Sequence, residues 1–196
     1  MIVDTKYFSG GESAILSGFT KREQPDIQDN TDVNELITNC RTSKEALEKL
    51  YIMFKGSVFA IAYGITSDYH LSEDCVTETF VRLSQIKRFS SKGGDGKGFI
   101  FTVARNVALE LRRRHKRETP DILIQSYGDT ESTVEDSIYI NQLLKHLNDK
   151  QKQIVVLKCC AELTFKEIAK IMKCPETTVK SRYKRALTIL KEKAGE

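Results

Sequence analysis

The chain has 196 residues, 40% of them hydrophobic and 30% charged, with a formal net charge of +4 at pH 7. That length holds one ordinary domain or two small ones. No apolar run approaches the ~20 residues of a membrane span, and the start lacks the basic and apolar segments of a secretory leader, so the expectation is a cytoplasmic protein with no membrane insertion.

The charge is distributed unevenly. Residues 1–42 carry −3, residues 43–117 carry +6, residues 118–141 carry −6 with no cation among them, and residues 142–196 carry +7. Two basic blocks separated by a wholly acidic bridge suit a protein that handles a polyanion at two places.

Residues 1–31 contain Gly10, Gly11, Gly18 and Pro25 without sustained periodicity and read as a flexible extension. Asp32 offers a cap to a short helix through Leu36, Ile37 and Cys40. A longer helix follows, with Leu47, Leu50, Tyr51, Phe54, Val58, Ile61, Ala62 and Ile65 spaced by threes and fours into one apolar stripe. Ser72 is the expected cap of the next helix, with Glu73 and Asp74 in its first turn and Val76, Phe80 and Leu83 on its buried side.

Residues 87–98 form a basic, glycine-rich stretch. It lacks the pattern and the preceding strand of a nucleotide-binding loop and reads instead as a loop near nucleic acid. Phe99 opens a helix to about Arg117, its core side marked by Phe99, Ile100, Val103, Ala104, Val107 and Leu111, with Arg105, Asn106 and Arg112 largely off that side. The helix ends Arg112-Arg-Arg-His-Lys-Arg117. Five cations among six residues exceed what complementing a helix dipole requires, which points to phosphate contact.

The bridge has Pro120, Gly128 and six carboxylates, a composition for an extended tether. Beyond it, Ile140, Leu143, Leu144 and Leu147 begin a helix, and residues 151–160 form another around Ile154, Val155 and Leu157. Thr164 and Glu167 have the spacing of a capping box, in which hydroxyl and carboxylate satisfy each other's exposed amides. Ile168, Ala169 and Met172 face inward from that helix. Val179, Tyr183, Ala186, Leu187 and Leu190 face inward from the last one, which carries Lys180, Arg182, Lys184 and Arg185. Two short amphipathic helices around a tight turn, the second strongly basic, are the pattern of a helix-turn-helix whose second helix enters a major groove.

Nothing alternates long enough for a sheet. The expected fold is all-α, with two small helical domains at residues 32–117 and 140–193 joined by an acidic flexible linker at 118–139, the second domain ending in the helix-turn-helix. The five cysteines (Cys40, Cys75, Cys159, Cys160, Cys174) show no metal spacing and read as small buried hydrophobes. The histidines His70, His115 and His146 are scattered. No metal site, cofactor, small-molecule substrate or catalytic residue is expected, and no enzyme.

Three stretches together resemble the extracytoplasmic-function (ECF) sigma factors, the compact branch of the sigma-70 family. Leu50-Tyr51 through Ser72-Glu-Asp-Cys-Val-Thr-Glu-Thr-Phe-Val-Arg-Leu83 is similar to the helix pair that docks on RNA polymerase. Phe99-Ile-Phe-Thr-Val-Ala-Arg-Asn-Val-Ala-Leu-Glu-Leu-Arg-Arg113 resembles the promoter-melting helix. Leu163 to Leu190 resembles the helix-turn-helix. Phe99 stands where the family usually has Trp, Thr77 where a Gln is common, and Thr177 where Gly is usual.

The resemblance implies a sigma factor that directs core RNA polymerase to promoters and assists strand opening, with the clamp helices and flap of the polymerase, promoter DNA and, in many members, an anti-sigma factor as partners. It implies polymerase contacts at Asp74, Glu78, Phe80 and Leu83, although Phe80 and Leu83 read equally as core. Minus-ten contacts fall on Arg88, Lys92, Arg105, Asn106, Arg112 and Arg113, with Arg105 alternatively pairing to Asp74 or Glu78. Minus-thirty-five contacts fall on Thr178, Lys180, Ser181, Arg182, Lys184 and Arg185. The acidic bridge is either a mimic of RNA in the polymerase channel or a solvated tether. A stand-alone helix-turn-helix regulator, which would usually need to dimerise, is the second reading. A thiol-based catalyst, resting on cysteine count alone, is a third.

Overall fold

The computed structural model describes residues 32–87, 89, 95–118 and 144–194. The extension at 1–31, most of the glycine-rich stretch with Arg88 and Lys92, and the acidic bridge with Ile140 and Leu143 lie outside the described residues. Among the described residues there are seven helices and no strand: α1 Val33–Asn39, α2 Lys44–Thr66, α3 Tyr69–Ser84, α4 Gly96–Glu118, α5 Asp149–Cys159, α6 Phe165–Met172 and α7 Glu176–Ala194.

Each start has a local cause. The Asn34 amide donates to Asp32 Oδ1 at 2.8 Å, capping α1, and the Ala46 amide to Ser43 Oγ at 3.1 Å, capping α2. The α3 cap differs from expectation. Asp68 Oδ1 takes the Leu71 amide at 2.8 Å, so the helix begins one turn earlier and Ser72 lies inside it. Ser72 is fully buried, its hydroxyl shared with Thr66 Oγ1 at 3.0 Å and with the Asp68 carbonyl. Both residues suit a cap, and the carboxylate prevails because Ser72 is drawn into the core.

The first half is built on α2, α3 and α4, which pack mutually, with α1 across α2 and α4. Leu50, Val58, Ala62, Cys75, Leu83, Ile100, Phe101, Ala104, Val107 and Ala108 are completely enclosed there. Phe101 meets Phe54 edge-on with ring centres 5.8 Å apart. The buried face of α4 is rotated slightly from expectation. Phe101 and Ala108 are interior, whereas Phe99, Val103 and Leu111 are only partly covered, and Phe99 pairs with Phe89 at 5.1 Å.

The second half packs α7 on α5 and α6. An Asn148–Gln151 capping box starts α5, with the Gln151 amide donating to Asn148 Oδ1 at 3.0 Å and the Asn148 amide to Gln151 Oε1 at 3.0 Å. The Thr164–Glu167 box starts α6 as the spacing predicts, with Thr164 N to Glu167 Oε2 at 2.6 Å. Leu144 and Leu147 close the core from the other end.

The halves are not separate bodies. Helix α5 lies along α2, and α6 touches α4. Ile154, Val155, Val156 and Leu157 are four consecutive buried residues, so α5 is apolar on every side and needs cover from both halves.

Candidate nucleic-acid and polymerase interfaces

Helix α7 presents its bases because its apolar residues are spent inward. Val179, Tyr183, Ala186 and Leu190 are buried, with the Tyr183 ring edge-on to Phe165 at 5.4 Å. That fixes the rotation of the helix and leaves Lys180, Ser181, Lys184 and Arg185 exposed and Thr178 and Arg182 half-exposed. Lys180 is turned back to Glu176 at 2.7 Å, so Ser181, Lys184 and Arg185 are the better-placed outward groups. The turn before α7 runs through Lys173 in the left-handed region (φ 51°), with the Cys174 amide donating to the Ala169 carbonyl at 3.1 Å. A non-glycine there carries a steric cost, and the exposed Lys173 adds a cation beside the start of α7 that the motif spacing did not single out.

On α4, Asn106 and Arg113 are exposed, whereas Arg105 and Arg112 are engaged by α5. Arg105 Nε donates to Gln153 Oε1 at 2.9 Å, and Arg112 Nη1 pairs with Asp149 Oδ2 at 2.7 Å. The expected pairing of Arg105 with Asp74 or Glu78 gives way to this contact with α5. Burial depresses the Arg105 guanidinium below its ordinary value, partly opposed by the Cys174 thiol nearby. Neither Gln153 nor Asp149 was singled out in the sequence, because a contact 48 or 37 residues away leaves no local pattern.

Near Arg105 a second crossing point brings Asp95, just before α4, against Glu167 of α6. Burial and the neighbouring Glu167 carboxylate hold the Asp95 carboxyl above its ordinary range.

On α3, Asp74 is exposed and Glu78 half-exposed, sharing one face as their four-residue separation requires. Arg82 organises that face. Its Nε meets Glu78 Oε1 at 2.7 Å and its Nη2 meets Glu110 Oε2 at 2.9 Å, while Arg114 reaches Glu110 at 3.3 Å. Hydrogen bonding and attraction from Arg82 hold the Glu110 carboxyl below its usual range. Asp74, Thr77, Glu78 and Arg82 line a shallow groove with Leu111 and Arg114.

Phe80 and Leu83 are 6% and 0% exposed, Phe80 lying edge-on to Tyr51 at 5.1 Å. They belong to the core and support the face from beneath, a correction to their expected place as contacts. Tyr51, Ile52 and Val81 are the exposed apolar side chains of α2 and α3 that the stripe did not separate from core.

Among the described residues no group of three or more His, Cys, Asp or Glu side chains is arranged for a metal, and no helix is long and apolar enough to cross a membrane. Burial raises the Cys75 thiol to about 11 and the Cys159 thiol to about 12, a hydrogen bond to Tyr183 opposing the latter shift in part.

This arrangement of an acidic helix face, an Arg–Asn helix and a basic recognition helix recurs in known proteins. Family models for sigma-70 region 2 and for sigma-70, region 4 match residues 50–118 and 137–190 respectively. The chain belongs to the sigma-70 family, in its ECF branch. It is 29% identical over 152 residues to the ECF RNA polymerase sigma factor SigM of Bacillus subtilis, covering 74% of this chain and 93% of that protein. It is 25% identical over 173 residues to the ECF RNA polymerase sigma factor BldN of Streptomyces coelicolor, covering 83% of this chain and 66% of the relative. In fold it is similar to the sigma factor RpoE in complex with the anti-sigma factor NepR from Bartonella quintana, with a TM-score of 0.65 and 22% identity over 74% of this chain and 94% of that one.

Proposed function

We propose that this chain is the promoter-recognition subunit of bacterial RNA polymerase, an ECF sigma factor that directs the core enzyme to specific promoters and assists strand opening. The observation that carries this reading is the presence in one chain of three differently charged surfaces, on α3, α4 and α7, within the two matched regions.

Asp74 and Glu78 take the polymerase, because carboxylates fixed on one helix face suit arginines of a partner and Arg82 holds Glu78 in place. Asn106 reads an unstacked base by paired donor and acceptor, while Arg105, Arg112 and Arg113 grip the strand's phosphates. Arg88 and Lys92 extend that grip from the glycine-rich stretch. Ser181, Arg182, Lys184 and Arg185 read and anchor the upstream duplex, with Thr178 and Lys180 at the start of the helix. Strand opening then draws on the free energy of binding the opened strand, with no nucleotide hydrolysis. An anti-sigma partner is part of the proposal, since the solved chains of similar fold include sigma factors bound to NepR and, for CnrH, to the cytosolic domain of CnrY.

The deciding experiment is run-off transcription with purified core polymerase on fragmented DNA of the source organism, with transcript ends mapped by sequencing. Defined start sites sharing two upstream elements support the reading. Tight duplex binding without any directed start favours a stand-alone regulator instead.

A further inference from the structure

The contact between the halves falls on the face of α4 to which strand capture is assigned. We propose that in the free chain α5 occupies this face, so that the protein engages duplex DNA through α7 but takes up single-stranded DNA only when its halves separate. This rests on the reading of Arg105 and Arg112 as strand contacts.

Four observations place the occupant. Gln153, itself 5% exposed, gives its side-chain oxygen to Arg105, and Asp149 neutralises Arg112. Two of the strand-gripping cations therefore already have partners on α5. Ser57 Oγ donates to the Cys160 carbonyl at 2.8 Å, satisfying an exposed acceptor at the end of α5. At Gly64 the backbone of α2 comes so near that an added Cβ would sit 3.1 Å from Val156 Cγ2. A glycine at this crossing allows the approach, and a larger side chain would oppose it.

The same contact is separable. The Arg112–Asp149 pair is 41% and 54% exposed, the range in which ion pairs add little, and Arg105 meets a neutral amide. A phosphate offers Arg105 a charge that Gln153 does not. Helix α7 packs on α5 and α6 with its Lys184 and Arg185 outward, so duplex recognition does not require opening.

The test uses the full chain as a Gly64→Cys/Val156→Cys variant. A Cβ at position 64 would lie 3.7 Å from that of Val156, within the about 3.5–4.5 Å that a disulfide spans. Mild oxidation should link the two positions in the free protein, identified by peptide mapping with the Gly64→Cys single variant as control. Binding is read with fluorescein-labelled random-sequence 20-mers, single-stranded and duplex.

Linked protein should bind the single strand at least fivefold more weakly than the same protein after reduction, with a log–log salt slope shallower by about 1.4, for two phosphate contacts withheld. Duplex binding should stay within twofold, which also certifies the fold. A Gly64→Leu wedge should shift single-strand binding the other way, above wild type. Failure of the free chain to link, or equal single-strand binding by linked and reduced protein, overturns the proposal. Co-elution with core polymerase is read separately. Its failure in the wild-type protein sinks the sigma-factor reading, while the linked-versus-reduced comparison still decides the contact.

Discussion

The Arg105 guanidinium on α4 donates to the Gln153 side-chain oxygen on α5 at 2.9 Å, joining residues of the two halves. Arg105 is thereby taken out of solvent without a counter-charge, and burial lowers its pKa accordingly. The pairing explains why a cation on the motif face of α4 is half-covered in a chain whose other basic groups stand outward. It also supplies a direct expectation: Gln153→Ala should expose Arg105 and raise single-strand affinity, whereas Arg105→Ala should lower it. Fluorescence anisotropy at one fixed salt concentration distinguishes the two signs.

Recognition-helix contacts should divide by kind. Replacing Arg185 or Arg182 by Ala should cost about 1–3 kcal/mol where the side chain reads a base, and should relax preference at one promoter position. Lys184→Ala, a phosphate contact, should weaken all sequences alike and flatten the salt slope by about 1. Titrations of a promoter duplex and its point variants at three salt concentrations separate these outcomes.

Charge reversal on α3 should isolate the polymerase surface. Asp74→Lys should reduce co-elution with core polymerase while leaving duplex binding through α7 unchanged, because Asp74 is exposed and remote in sequence from the recognition helix. An unchanged polymerase affinity would remove Asp74 from the docking face.

Two substitutions test the scaffold beneath the surfaces. Phe101→Ala empties a fully enclosed site beside Phe54 and should cost about 3–5 kcal/mol, with Phe101→Leu costing less. Thr164→Ala removes the Glu167 amide's acceptor at the start of α6 and should cost about 0.5–2 kcal/mol. Urea unfolding followed by circular dichroism measures both.

The buried thiols give a pH prediction. Cys75 and Cys159 are raised from an ordinary 9.0 to about 11 and about 12, so the fold favours their protonated form. Their contribution to stability is fully present below pH 9 and is lost as pH rises through the folded values. At pH 8 both should resist iodoacetamide in the folded protein and react once it is unfolded in urea. Peptide mass spectrometry after short pulses reads this, and rapid labelling of either in the folded state contradicts their burial.

Helix identities were legible wherever a local rule acted. The three-and-four spacing from Leu50 to Ile65 predicts α2, and Thr164 with Glu167 predicts the start of α6. Where two local rules competed, as between Asp68 and Ser72, burial of Ser72 settled the cap. The rotation of α4 was also not legible, because Phe99 and Phe101 are equally apolar and only packing against Phe54 places Phe101 inside. Phe80 and Leu83 carry the spacing of a core face and the position of a contact face, and their burial resolves the ambiguity.

By itself the sequence determined the helical class, the basic face of the last helix and the three motifs of the family, since periodicity, capping and charge act over one or two turns. Tertiary structure alone decided that α5 lies against α2 and that Arg105 and Arg112 are held by Gln153 and Asp149. Those contacts join residues 37 and 48 positions apart, and their cause is the need of an all-round apolar helix, α5, for cover on both sides.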